Sequence, residues 1–186
     1  ARLPQAQLQS LDLNALVSEV VQLYGASLDA PTMESTSSLV QPQTFNTMDA
    51  RGVLIEAILD PQCPSIKADA LQLRQVVHNL IQNAQDASEG KPGARVRLST
   101  HFNSVSSRVR LRVEDSGGGF PDFILKRAFE PYVTTKSKGT GLGLAVVKKI
   151  IEDHSAKIEI RNRMQGEEVV GAQVSVLFMN LAKEAA

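Results

Sequence analysis

A single cysteine stands in 186 residues. Cys63 has no second cysteine for an internal disulfide, and a thiolate metal site would need further ligands of its kind. Its expected role is structural. Net charge is also missing, because 20 Lys and Arg balance 20 Asp and Glu. That balance offers no overall electrostatic footprint for nucleic acid or a membrane surface. No apolar run approaches the ~20 residues needed to span a bilayer, and the first residues lack the pattern of a secretory leader. A domain of a reducing, cytoplasmic compartment is expected. Two well-known nucleotide loops are lacking as well. Gly90-Lys91 is followed by Pro92, so there is no P-loop ending in Gly-Lys-Ser/Thr. The Gly139, Gly141, Gly143 spacing is not the dinucleotide fingerprint, and no strand pattern precedes it.

The length suits one well-buried domain. Asp12 is placed to cap a helix through Leu13, Leu16, Val17, Val20, Val21 and Tyr24, and Asp69 to cap the longest helix, reaching about Ala87. Residues 25–52 are rich in Ser, Thr, Pro, Asp and Gln without a sustained period, which predicts a long surface loop. Strands are expected at 53–59, 95–101, 109–113, 156–161 and 172–178, with helices near 122–128 and 144–153. Helices and antiparallel-type strands segregate, so the expected fold is an α+β, two-layer α/β sandwich with helices on one face of a mixed sheet.

Glycine is concentrated where it matters. Asp115-Ser116-Gly117-Gly118-Gly119 and Lys138-Gly139-Thr140-Gly141-Leu142-Gly143-Leu144 flank a short segment and lead into an amphipathic helix. Glycines let a backbone approach a ligand closely, and amides at a helix start favour anions. Together they suggest a nucleotide phosphate site beneath a mobile lid. The Asp69 helix carries a core stripe of Leu73, Val76, Val77, Leu80, Ala84 and Ala87, with Gln75, Asn79, Asn83 and Asp86 on an adjacent line. For an arbitrary helix the polar line is a solvated face. Beside the glycine clusters, Asn83 becomes a candidate oxygen ligand for Mg²⁺, which takes such ligands and shares substrate phosphates. Asp115, at a strand end, could accept a hydrogen bond from the exocyclic amine of adenine and so reject guanine; equally, it could be a turn aspartate bonding its own backbone.

Asn79-Leu80-Ile81-Gln82-Asn83-Ala84, Asp115-Ser116-Gly117-Gly118-Gly119, Phe129-Glu130-Pro131-Tyr132, Thr134-Thr135-Lys136 and Gly139-Thr140-Gly141-Leu142-Gly143-Leu144 resemble, in order and spacing, the N, G1, F and G2 boxes of sensor histidine kinases. With Ala1-Arg2-Leu3-Pro4, the Phe129 segment is most similar to the nitrogen-regulation sensor kinases. The resemblance implies the ATPase fold shared by gyrase, Hsp90, histidine kinases and MutL, with ATP or ADP and Mg²⁺ as ligands. It implies that Asn83 binds Mg²⁺, that Asn79 lies beside the phosphates and that Asp115 recognises adenine. Gly117 and Gly119 would open a lid spanning about 117–140, and Phe129 would join its hydrophobic clasp. Gly139, Gly141 and Gly143, with Leu142 and the Thr140 amide, would close around the phosphates. Lys136 and Lys138 would be phosphate partners, although a solvated lid lysine explains Lys138 equally well.

Hydrolysing members of that superfamily carry a glutamate four residues before the metal asparagine, where it can activate water. Here the position holds Asn79, which favours phosphoryl transfer over hydrolysis. The family's phosphoacceptor motif is absent, and His78, His101 and His154 sit in unsuitable contexts. The expected organisation is therefore 1–10 as the end of a linker from a dimerisation and phosphoacceptor domain, 11–181 as the ATP-binding domain and 182–186 as a tail. The implied activity is transfer of the ATP γ-phosphoryl to a histidine on that other domain, with a response regulator downstream. The fragment is expected to be monomeric. Its parent is expected to be a homodimer, with anchoring in the inner membrane left open. A regulatory nucleotide-binding module and an anti-sigma-type serine kinase are the alternatives. Two departures stand out. The family's His-Gly-Gly reads His154-Ser155-Ala156, which should alter a turn, and its Gly-Thr reads Gly171-Ala172, which removes a hydroxyl that usually supports the adenine-binding aspartate.

Overall fold

Asp12 and Asp69 start the two longest helices as their positions predict. Asp12 Oδ1 accepts from the Ala15 amide at 3.1 Å, capping α1 (Leu13–Tyr24). Asp69 Oδ1 accepts from Leu71 and Gln72, each at 3.1 Å, capping α2 (Ala70–Ser88). Each cap satisfies amides that the first turn leaves open, a contribution of about 1 kcal/mol. The computed structural model describes residues 3–25, 41–136 and 141–183.

The main sheet has six strands: β2 (Gln43–Met48), β3 (Leu54–Leu59), β5 (Arg95–Asn103), β6 (Arg108–Asp115), β7 (Lys157–Gln165) and β8 (Glu168–Phe178). Their order is β2-β3-β5-β6-β8-β7, antiparallel throughout except for the parallel β3–β5 pair, which α2 connects. Alternation decides the faces. Val109, Leu111 and Val113 of β6 are buried against the helices, whereas Arg108 and Arg110 between them are exposed. Val76, Val77, Leu80 and Ile81 of α2 and Val147, Ile150 and Ile151 of α4 (Gly143–Asp153) join the same core. The helices thus cover one face of a mixed sheet, the expected α+β sandwich. Cys63 is half-buried beside that core, and burial pushes its thiol up to about 11, as suits a structural residue.

Three boundaries differ from the reading of the sequence. The expected 25–52 loop contains β2, which pairs antiparallel with β3 from Gln43↔Leu59 to Met48↔Leu54. This is an edge strand whose inward positions include only one large apolar residue, Phe45, so it shows almost no hydrophobic period. Residues 26–40 of that loop lie outside the described residues. The expected linker 1–10 is partly built into the domain, because β1 (Gln9–Leu11) pairs with β4 (Ile66–Ala68) and Gln7 donates to Asp69 Oδ2 at 2.9 Å. Finally, β7 and β8 run beyond 161 and start before 172, as a ribbon with Met164 and Val169 exposed, where no burial pattern marks the strands.

Candidate functional site

The C-terminal half of α2, the end of β6, β8, the segment carrying α3 (Asp122–Arg127) and the start of α4 enclose a cavity of about 280 Å³. Asn79, Asn83, Asp115, Lys136, Gly141 and Gly143 all line it, bringing together residues up to 64 positions apart in the sequence. Val113, Ile124, Ala128, Leu144 and Val174 supply apolar walls. Sequence reading missed those walls, since in sequence a valine facing a cavity and a valine facing the core have the same period.

Asp115 ends β6 and is 7% exposed. Its Oδ1 accepts two amides, Gly117 at 2.8 Å and Ala172 at 3.0 Å, while Arg163 Nη1 donates to its main-chain oxygen at 2.7 Å. Both side-chain bonds fall on Oδ1, no described residue donates to Oδ2, and the residue lines the cavity. Burial raises the carboxyl above its ordinary range, and the two amides, Arg163 and Lys91 oppose that rise. The turn reading and the acceptor reading of Asp115 are therefore compatible. With alanine at position 172, the support from that residue is its main-chain amide alone.

On the opposite wall Lys136 Nζ donates to Asn83 Oδ1 at 2.9 Å and to Asp86 Oδ2 at 2.5 Å. Asp86 also receives Arg51 Nη1 at 2.8 Å, and Arg51 reaches Glu89 at 3.3 Å. Burial pushes the Asp86 carboxyl up, but the Lys136 and Arg51 bonds outweigh it and hold the group below its ordinary range. The Lys136 ammonium acts as a stand-in cation on the asparagine oxygen. Among the described residues no cluster of three or more His, Cys, Asp or Glu could hold a metal alone. A donor set of one amide oxygen fits Mg²⁺ that completes its shell with phosphate oxygens and water.

The glycines divide by role. Gly141, at φ +70°, and Gly143 line the cavity, and a Cβ on Gly143 would come within 4.0 Å of Asn83 Nδ2. The amides at the start of α4 thus face the same space as Asn83, where the helix dipole favours an anion. Gly117 and Gly119 do not line it. A Cβ on Gly117 would meet the Ala87 carbonyl at 2.5 Å, and one on Gly119 would meet Val169 at 2.4 Å, so both serve close packing just before the segment that carries α3. Phe129 lies outside the cavity lining as well, half-buried with Lys148 Nζ 5.0 Å from its ring centre. Leu142 is 37% exposed and precedes α4 without lining the cavity. Lys138, Gly139 and Thr140 lie outside the described residues.

Several positioning residues were not foreseen. Asn162 of β7 clamps Phe120, accepting its amide at 2.6 Å and donating to its carbonyl at 2.9 Å. Tyr132 takes φ +66°, and its amide donates to the Gly141 carbonyl at 3.0 Å, closing the segment over the cavity. A bulky residue at positive φ is strained. His154 is buried, with Nδ1 bonded to the Ile150 carbonyl at 2.7 Å and Nε2 accepting the Asp69 amide at 2.9 Å. Ser155 beyond it adopts φ +53°, the region a glycine would favour. His78 bonds the Tyr24 hydroxyl at 3.0 Å and stays away from the cavity.

The sequence model of the histidine kinase-, DNA gyrase B- and HSP90-like ATPases matches residues 68–181. The chain belongs to this ATPase family. It is 35% identical over 172 residues to an NtrY-like sensor histidine kinase of Rickettsia bellii, covering 90% of this chain and 27% of that protein. It is 37% identical over 122 residues to the sensory histidine kinase/phosphatase NtrB of Rhizobium leguminosarum bv. phaseoli, covering 59% of this chain and 32% of that one. The chain thus spans about a quarter to a third of these relatives' length. Among solved structures, the catalytic domain of the histidine kinase ThkA superposes with a TM-score of 0.67 at 26% identity, covering 94% of this chain and 96% of that one. Full-length ShkA in complex with AMPPNP superposes with a TM-score of 0.72 at 24% identity, covering 100% of this chain and 34% of that one, a likeness of fold. As an ATPase-family member, the chain places the cavity between the helical layer and the end of β6, with the segment after Gly119 as its outer wall.

Proposed function

We propose that this chain is the ATP-binding catalytic domain of a sensor histidine kinase, transferring the γ-phosphoryl of ATP to a histidine of a phosphoacceptor domain in the whole protein. The observation that carries this reading is the Asp115 carboxylate. It is fixed through Oδ1 by two amides and faces a cavity whose far wall bears Asn83 and Lys136. In this reading Oδ2 accepts the adenine amine. Guanine presents a carbonyl there and would leave the buried acceptor unpaired, which is the basis of strong rejection.

The cavity's apolar walls hold the base, and Lys136 with the first amides of α4 receives the phosphates. Lys138, Gly139 and Thr140 would complete that cradle. Asn83 Oδ1 would hold Mg²⁺, and the ion's role when bound is to neutralise charge on the phosphates. Lys136 then moves from Asn83 onto a phosphate oxygen. Asn79 cannot take a proton from water, so the site favours transfer to an external group. The phosphoryl would pass on to a response-regulator aspartate. ThkA, at 22% identity, has been solved in complex with the response regulator protein TrrA. The isolated chain is monomeric in this proposal, its parent dimerises through helices outside it, and the segment 117–140 moves as a lid. No helix among the described residues is long and apolar enough to cross a membrane.

Calorimetric titration with ADP and GDP, with and without Mg²⁺, tests the assignment. ADP should bind and GDP should not, Asp115→Asn should abolish ADP binding, and Asn83→Ala should remove the Mg²⁺ dependence. Equal binding of ADP and GDP would sink the role given to Asp115.

A further inference from the structure

The face of the sheet turned away from the helices carries an uneven charge pattern. At one end Arg95 and Arg97 reach Glu56 at 3.7 and 3.1 Å and Arg163 reaches Glu114 at 3.4 Å, while Arg161 donates to Gln173 at 3.2 Å. At the other end Arg108, Arg110 and Arg112 alternate along β6, and no described carboxylate lies within 4 Å of any of them. They are cross-strand neighbours of Asn103, His101 and Ser99 on β5. The nearby Asp60 reaches His101 at 3.5 Å, and its two oxygens also accept the Gln62 and Phe102 amides. It is thus committed to β5 and its own turn.

The three arginines line a concavity of about 360 Å³, separate from the cavity at Asp115, together with His101, Asn103 and Ser106. Asn103 Oδ1 accepts the Val105 and Ser106 amides at 3.1 and 3.0 Å, which holds the turn beside the concavity in shape. Arg112 is the least ordinary of the set. Its Nε is shut away from water and has no acceptor. A charged N–H left bare is costly in a folded chain.

We propose that this concavity is a second binding site, for a small free anion bearing two phosphoryl groups. Residues two apart on a strand are about 6.7 Å apart, so the three arginines form a row about 13 Å long at their backbones. An anion with two linked phosphoryl groups offers that row more oxygens and a longer reach than a single phosphate. Guanidiniums bind phosphate oxygens in a bidentate manner. The volume sits at the low end of small-ligand cavities, which run from about 300 to 1,000 Å³, and that favours a free molecule over a flat lipid surface. The site is independent of the nucleotide reading, because none of its residues lines the Asp115 cavity.

The test is calorimetry of the 186-residue chain with inorganic pyrophosphate at low salt, with and without saturating ADP and Mg²⁺. Parent, Arg110→Ala, Arg108→Ala/Arg110→Ala and Arg95→Ala are compared, each with its melting temperature. Pyrophosphate should bind beside ADP. Affinity should fall about tenfold in Arg110→Ala, be lost in the double variant and stay within about twofold in Arg95→Ala. Loss of pyrophosphate binding whenever ADP is present would overturn the proposal. So would an equal effect of Arg95→Ala, which would mark diffuse charge. Vesicles of phosphatidylglycerol and of phosphatidylcholine form the other arm. Neither should sediment the chain, and sedimentation by phosphatidylglycerol that pyrophosphate fails to compete would assign the face to a membrane instead. Failure of ADP to bind while pyrophosphate binds through Arg110 would remove the nucleotide reading and leave this one standing.

Discussion

Gly171→Ala should damage the site without replacing any residue that meets the nucleotide. Gly171 lies in β8 at φ +153°, and a Cβ there would sit 1.9 Å from the Asp115 carbonyl oxygen. Atoms do not approach that closely, so β8 and the end of β6 must part by about 1 Å. Overpacking of this kind costs about 1–3 kcal/mol, and forcing a side chain into a glycine conformation costs about 1–3 kcal/mol more. A middle value near 4 kcal/mol corresponds to a fall of roughly 10 °C in Tm for a chain of this size. The same displacement lengthens the 3.0 Å bond from the Ala172 amide to Asp115 Oδ1 past the ~3.2 Å limit of a good hydrogen bond. Losing one such restraint, about 1 kcal/mol, should weaken ADP binding about fivefold. Gly166→Ala is the control, since Gly166 has φ +61° with no atom within 4 Å of its would-be Cβ. It should lose only the ~1–2 kcal/mol of the left-handed conformation and keep ADP affinity. Thermal melts and calorimetry well below both transitions read the two effects separately. If Gly171→Ala melts with Gly166→Ala and binds ADP like the parent, the β6–β8 support of Asp115 has been misjudged.

Three other outcomes can be checked on the same chain. Burial raises the Asp115 carboxyl, so ADP affinity should fall as pH drops through a value above the ordinary ~3.9 of aspartate, because a protonated Oδ2 no longer serves as a free acceptor. The same shift makes the proton stabilise the folded state, so that contribution should fade as pH rises from the ordinary to the raised value; a calorimetric pH series and acid melts follow both. Asn79→Glu places a general base at position 79 of the cavity wall and should raise phosphate release from ATP by about 10²-fold; an unchanged rate would argue against position 79 as the determinant. Ser155→Gly relieves a residue held at φ +53° and should raise stability by about 1 kcal/mol, seen as a higher Tm with unaltered ADP binding.

Much of this architecture is legible before any coordinates, for reasons that differ from element to element. The caps at Asp12 and Asp69 and the stripe from Leu73 to Ala84 are local signals, and the helices start where those signals lie. Asn79, Asn83, Asp115, Lys136, Gly141 and Gly143 meet around one cavity because the C-terminal half of α2, the end of β6 and the start of α4 come together there. What escaped is non-local. β2 is fastened by backbone bonds to β3 with little apolar pattern of its own. Phe129 and Gly117 belong to glycine and aromatic clusters that look like ligand contacts, yet they pack against Lys148 and Ala87. The Ala172 amide holds Asp115 Oδ1, and no side-chain alphabet records a main-chain amide.

The bond between Asp69 and His154 carries a mechanical consequence. It fastens the first residue before α2 to the residue just after α4, while Asn83 and Gly143 face each other near the opposite ends of those helices. Fourteen residues of α2 separate Asp69 from Asn83, a lever of about 21 Å at 1.5 Å per residue. With the far end pinned, opening the mouth by 1 Å needs a tilt of only roughly 3° between the two helices. His154 is thus a fulcrum, and small repacking around a buried imidazole, remote from any phosphate, would be read out as a change in the grip on one.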